Sequence, residues 1–184
     1  MTTVRLIESE QAPLLARPYY ADGDPGPLVA ALAQVPELLT VALPFIGATL
    51  GPSAIDGRTK EIVIVRTSAL LECRYCVQTH TVVALDAGLG RDEVAALRAV
   101  GSCAEAFADP AELALLAWVD AVAPGRGQVD AETTAGITRH WADHEVVELT
   151  VVITATLMLN RFATALGLPT ATATLDRLDA EGLR

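Results

Sequence analysis

The sequence predicts an all-α fold, a single-domain multi-helix bundle of about eight helices. Three observations carry this. Apolar residues recur at helical spacing in runs that open on Pro or Asp and close on Gly or Pro. No pair of short alternating segments flanks a hairpin-type turn. Hydrophobic residues make up 52% of the chain but aromatics only 4%, so the core must be built mainly from Ala, Val and Leu, which suits close-packed helices.

Residues 1–26 read as an irregular, loose N-terminal arm, because "ARPYYADGDPGP" is dense in turn formers and acids. Residues 27–184 read as the helical domain. "GPLVAALAQ" and "PELLTVALPFIGATLG" are short helices with Pro27 and Pro36 at first positions, where proline loses no helical hydrogen bond. Pro44 falls inside the second and is expected to kink or split it. Asp56 is a good N-cap for "GRTKEIVIVRTSALLE". Its β-branched core taken alone suggests a strand, but no Gly or Pro interrupts residues 58 to 87, and strands seldom exceed about ten residues. Length therefore favours helix, with a break near the cysteines, stopped by Gly88 and Gly90. "RDEVAALRAV" follows and ends at Gly101. Asp109 with Pro110 starts a helix that reaches Pro124, Asp130 caps "AETTAGITRHW", and Asp143 caps a long helix that ends at Gly167 and Pro169. "TATLDRLDAEGL" is a last amphipathic helix.

A formal net charge of −10, with no run of Lys and Arg, repels phosphate backbones and anionic headgroups, so nucleic acid and membrane surfaces are not expected partners. The opening "MTTVRLIESEQAP" has no apolar core of signal-peptide length, and no window holds about 18 uninterrupted apolar residues. The expectation is a cytoplasmic protein. In such a reducing compartment a CxxC pair points to redox chemistry or metal rather than to a structural disulfide.

The stretch "CRYCVQTH" holds that pair, Cys73 and Cys76, with His80 after it. On a helix these three fall within a stripe about 60° wide. A thiol is a poor nucleophile until it loses its proton. A helix N-terminus favours the thiolate, and His80, one turn beyond Cys76, can accept the proton. Glu61 lies beside an apolar run, where a carboxylate is costly without a use, and holding His80 in the right tautomer is such a use.

Glu61-x11-Cys73-x2-Cys76-x3-His80, followed by "ALDAGL", resembles the alkylhydroperoxidase D-like, CxxC-containing branch of the carboxymuconolactone decarboxylase family. The resemblance runs over about residues 55 to 100, and "VVELTVVITATLMLNRFATALGLP" is similar to the C-terminal helix of longer members. It implies an all-helical fold assembled as a trimer or a multiple of it, and a catalytic set of Glu61, Cys73, Cys76 and His80. It also implies a cysteine pair cycling between dithiol and disulfide. Such proteins reduce peroxides, or take electrons from a dithiol such as dihydrolipoamide or a dithiol protein donor. No bound cofactor or metal is implied. The best-studied peroxidase-active members carry His just before the second cysteine; here Tyr75 stands there, a neutral hydrogen-bond donor near pH 7 and a candidate substrate contact.

Two other functional classes remain open on the residues: a lyase or isomerase acting on a small carboxylated lactone in the same pocket, and a non-catalytic oligomeric binding protein. Decarboxylase members of the wider family lack the cysteine pair. A zinc site would need a fourth ligand, and no second CxxC exists. His140 and His144 are expected on the surface, with a helix start between them, and Cys103 as an incidental thiol. Lys60 and Arg66 are expected to be solvated or paired. Glu148 and Asn160 are polar in an apolar helix and each should find a hydrogen-bond partner, in an interhelix contact, at an oligomer seam or at the cysteine pocket. The Asp56–Glu61–Cys73 spacing recurs as Asp143–Glu148–Asn160, a faint echo that duplication or coincidence would both explain.

Overall fold

The computed structural model describes residues 2–99 and 102–184. Gly101, expected to stop the fifth helix, lies outside the described residues. The described chain forms α1 (Pro27–Leu32), α2 (Pro36–Leu50), α3 (Gly57–Leu70), α4 (Arg74–Asp86), α5 (Arg91–Arg98), α6 (Pro110–Val122), α7 (Ala131–His140), α8 (Asp143–Leu166) and α9 (Thr172–Glu181), and among these residues there is no strand.

The segment that reads locally as a strand is the central post of the bundle. Every residue of α3 from Thr59 to Ala69 is buried. α4, α5, α6 and α8 pack around it. A helix buried on all sides is held by what surrounds it, and this surrounding outweighs the weak helix preference of Ile62–Val65. Its charged residues are each paired. The Lys60 ammonium donates to the Thr49 carbonyl (3.0 Å) and the Gly51 carbonyl (2.7 Å), and lies 3.0 Å from the Glu148 carboxylate. Arg66 donates to both oxygens of Asp120 (2.6 and 2.9 Å) and to the Ala99 carbonyl.

α8 is long and apolar enough to cross a membrane by length and composition alone. Here its inner face, from Leu149 to Ala163, is buried in the bundle. It runs beside α3 in the same direction. Lys60 meets Glu148 near both N-termini, Val63 and Ile64 share a core with Leu149 and Ile153, and Cys73 shares one with Ala163. α4 runs back antiparallel, joining Glu61 to His80. Trp118 and Trp141 flank the α3–α6–α8 core and donate to Thr150 Oγ1 and the Ala111 carbonyl.

Asp56, Asp109 and Asp130 cap their helices by accepting from Thr59, Ala111 and Thr133 amides. Asp143 does not. It is the first residue of α8, the cap position is Ala142, and Glu145 accepts from the Ala142 amide instead. Pro44 does not split α2, which is continuous from Pro36 to Leu50. The break expected near the cysteines within 58–87 falls at Leu71–Cys73, between α3 and α4. The arm before α1 is irregular apart from short 3-10 turns at Ser9–Gln11 and Arg17–Tyr20, but it is not loose. Ile7, Ala12, Ala16 and Tyr20 are buried against Leu32, Ala33 and Leu39, and Tyr20 donates to the Ile7 carbonyl. Thr3 and Ile7 amides tie it to Leu166 and Ala30. The apolar residues scattered between its turn formers suffice to dock it.

Candidate functional site

The site is built on the corner between α3 and α4. α3 ends in a double closure: the Glu72 amide donates to the Ala69 carbonyl and the Cys73 amide to the Ser68 carbonyl. This Schellman geometry needs a left-handed residue after the helix, a place usually held by glycine. Glu72 takes it with φ 53°. The turn delivers Cys73 to the N-cap of α4, where its sulfur accepts from the Cys76 amide at 3.4 Å. Cys73 and Cys76 are joined as a disulfide with Cα atoms 5.3 Å apart. Cys73 is fully buried and Cys76 6% exposed, so the residue nearer the surface is Cys76.

His80 follows Cys76 by one turn, on the same face of α4. Its Nδ1–H donates to the Glu61 carboxylate, at 3.0 Å to Oε2 and 3.2 Å to Oε1. The Glu61 side chain is nearly buried and that of His80 is about a quarter exposed (8% and 23%). Fixing the proton on Nδ1 leaves Nε2 free to accept another. The arrangement therefore holds a base, its orienting acid and a sulfur pair on two adjoining helices, as an activated nucleophile requires.

A cavity of about 290 Å³ opens beside Glu61, lined also by Leu50, Pro52, Ile55, Asp56, Val83 and Ala87; His80 and the two cysteines are not among its lining residues. Val83 and Ala87 continue the His80 stripe along α4. That continuation was visible in the sequence as small apolar residues three and seven positions after His80, a signal that the reading of residues 73–80 stopped short of. Tyr75 does not line this cavity. It lies half-buried with Arg74, Gln78, Leu168, Pro169, Thr170 and Leu175 around a separate hollow of about 280 Å³ towards α9, and burial raises its hydroxyl pKa. The cysteines pack against Ala31, Ala163 and Leu168, which brings α1 and α8 to the back of the site.

The other singled-out residues fall elsewhere. His140 ends α7 and His144 lies in the first turn of α8, so they share no face. Cys103 is free and buried, and burial pushes its thiol up, which makes it unreactive. Glu148 makes an interhelix contact, accepting from Ser53 Oγ and pairing with Lys60. Asn160 is buried on α8, one turn before Ala163, and both polar atoms of its carboxamide lack a partner. Among the described residues no three His, Cys, Asp or Glu side chains are grouped so as to hold a metal ion.

The family model described as "Carboxymuconolactone decarboxylase family" matches residues 36–121. Several solved structures share the fold. The peroxidase-related protein from Ralstonia eutropha, described as an alkylhydroperoxidase AhpD core, superposes with TM-score 0.81 at 16% identity, covering 94% of each chain. A peroxidase-related protein from Silicibacter sp. superposes equally well, with TM-score 0.81, 16% identity, and coverage of 94% of this chain and 93% of that one. The debrominase Bmp8, in a cysteine-to-alanine variant complexed with 2,3,4-tribromopyrrole, gives TM-score 0.79 at 19% identity, covering 98% of this chain and 97% of that one. At such identities the likeness is one of fold. No curated protein matches the chain.

Proposed function

We propose, from the premise that the chain belongs over residues 36–121 to the carboxymuconolactone decarboxylase family and has the alkylhydroperoxidase D-like fold, that it is a thiol–disulfide oxidoreductase of small hydroperoxides or a partner disulfide. The observation that carries this reading is the Glu61–His80 hydrogen bond one helical turn from a cysteine pair that is already disulfide-bonded. The cavity supports a small substrate with an apolar end, since Ile55, Val83 and Leu50 face it beside the carboxylates of Asp56 and Glu61.

The cycle begins with the dithiol. His80 Nε2 takes the Cys76 proton, and the imidazolium that forms is stabilised by Glu61. The thiolate attacks the outer peroxide oxygen and the O–O bond breaks. The alkoxide takes the proton from His80 and leaves as alcohol, while Cys76 becomes a sulfenic acid. The Cys73 sulfur then forms the S–S bond, and water leaves. An external dithiol of the dihydrolipoamide class reduces the disulfide and is itself oxidised to a disulfide. With a disulfide partner as oxidant the same thiolate forms a mixed disulfide instead. The cycle requires a reducing compartment, in keeping with a cytoplasmic protein.

The active unit is a homo-oligomer in this reading. Leu38, Val41 and Phe45 form one exposed face of α2, and Val147, Val151 and Met158 one exposed stripe of α8. Apolar side chains of this size on two neighbouring helices exceed what an isolated chain normally leaves wet. The occupant is a second copy: Leu38, Val41, Phe45, Val147, Val151 and Met158 are uncharged, with Glu37 and Asp143 only at the first turns of the two helices, so two chains of net charge −10 meet there with least repulsion. Replacing Val151 and Met158 together by Glu is expected to yield monomers in sedimentation; an unchanged mass refutes this surface.

The deciding experiment is consumption of cumene hydroperoxide with dihydrolipoamide, comparing the intact chain with Cys76→Ser. The expected result is turnover in the first and none in the second. Full activity of the variant overturns the assignment. Consumption of a carboxylated lactone, indifferent to oxidation of the pair, points to the lyase class instead.

A further inference from the structure

Asn160 is nearly inaccessible, at 1% exposure, and both the amide nitrogen and the carbonyl oxygen of its side chain lack a partner. Burying a carboxamide in this way is costly unless some state of the protein gives it a partner. Its position names that partner. α8 runs parallel to α3 from the Lys60–Glu148 pair at one end to the contact of Ala163 with Cys73 and Cys76 at the other. Asn160 stands one turn before Ala163 on the same face, level with the corner where Cys73 begins α4. Thr156, a turn earlier, and Thr67 and Ser68 on the end of α3 also bury hydroxyls without a partner. This corner holds polar groups in surplus, facing a disulfide whose sulfurs are weak acceptors.

We propose that the Asn160 carboxamide is the hydrogen-bond donor for the Cys73 thiolate, which exists only when the disulfide is open. The inference rests on the redox reading of the pair given above. An external dithiol attacks the more accessible Cys76 sulfur as a thiolate. The S–S bond breaks, and its electron pair leaves on Cys73. That sulfur already accepts the Cys76 amide and sits at the N-terminus of α4. Asn160 Nδ2–H completes its solvation in a place water does not reach. The donor's second thiol then gives its proton to His80 Nε2 and attacks the mixed disulfide, which forms the donor disulfide and releases the Cys76 thiolate, and that thiolate takes the proton back from His80. The oxidised protein thus stores an unmet hydrogen bond that reduction satisfies, which favours the dithiol and speeds departure of Cys73.

The test is an equilibrium titration of the full chain in dithiothreitol redox buffers, for the native sequence, Asn160→Leu, Asn160→Asp and Thr156→Val. Asn160→Leu is expected to shift the equilibrium towards the disulfide about tenfold, equivalent to about 30 mV. The shift should come with slower reduction and with weaker ultraviolet absorbance of the thiolate. Oxidised Asn160→Leu should unfold at the same temperature as the native chain or higher, because an unpaired polar group has been removed. Asn160→Asp, which sets a carboxylate against the thiolate, shifts the equilibrium the same way and keeps a polar side chain should the leucine fail to fold. Thr156→Val should leave the potential in place. Asn160 variants within threefold of the native equilibrium, or a loss of stability equal in their oxidised and reduced forms, overturn the proposal while leaving the redox reading intact. A native pair that exchanges with no dithiol overturns both.

Discussion

Replacing Glu61 by Gln separates the two things its carboxylate does. The glutamine carbonyl can still accept from His80 Nδ1, so the ring keeps its orientation, but the negative charge opposite the imidazolium is gone. Glu61 is 6% exposed, and both its oxygens lie within 3.2 Å of Nδ1, so little solvent screens the contact. A hydrogen bond to a charged group contributes about 1.5–3 kcal/mol against about 0.5–1.5 for a neutral one. A full charge pair near 4 Å in a partly screened site adds up to about 4 kcal/mol. Loss of about 1.5–4 kcal/mol of stabilisation of the proton-transfer state slows oxidation of the pair about 10- to 1,000-fold. The assay is single-turnover oxidation of the reduced protein by cumene hydroperoxide at neutral pH, followed as loss of titratable thiols. Urea unfolding run alongside checks that the variant is folded. A rate within twofold of the native one, in a folded variant, refutes the role given to the carboxylate; so does an equal rate loss when the oxidant is omitted and only dithiol reduction is measured.

Two predictions concern the scaffold. Glu148→Gln leaves the buried Lys60 ammonium with carbonyls but no countercharge, and should cost about 1–2 kcal/mol in urea unfolding at pH 7. The Ser53 hydroxyl, and then Lys60, hold the Glu148 pKa below the usual carboxylate value of 4.5, so this stability is present above about pH 4.5 and lost as pH falls through the lowered value. Native and variant midpoints should therefore converge as the pH falls below that lowered value, and a difference that acidification leaves unchanged contradicts the ion pair. Glu72→Gly relieves a left-handed conformation that costs a residue with Cβ about 1–2 kcal/mol, offset by the greater freedom of unfolded glycine, for a net gain of about 0.5–1 kcal/mol. A less stable glycine variant would mean that Glu72 contributes something beyond the turn.

The catalytic stripe was legible because helical spacing alone brings Cys73, Cys76 and His80 to one side, and because Glu61 is a carboxylate in an apolar run. The partner of that carboxylate was legible for the same reason: few groups can lie buried beside it. Less of the frame was legible. Asp143 has the composition of a cap, yet the chain enters α8 one residue earlier, and Glu145 does the capping. The N-terminal arm looked loose because turn formers dominate it, and the sparse apolar residues that dock it show no periodicity. Tyr75 is adjacent to Cys76 in sequence but belongs to a different hollow, because consecutive helical residues point about 100° apart.

By itself the sequence determined the class of fold, the run of helices and the spacing of the two sulfurs and the imidazole along α4, since each depends on residue type and on spacing along one or two turns. Only the tertiary structure decided that the β-branched segment is the most enclosed helix, that Glu72 bends left-handed to seat Cys73 as a cap, and that Asn160 lies buried on α8 without a partner. Those outcomes depend on what α8 and α4 lay against α3, and the free energy of burial that selects them comes from contacts far apart in the chain.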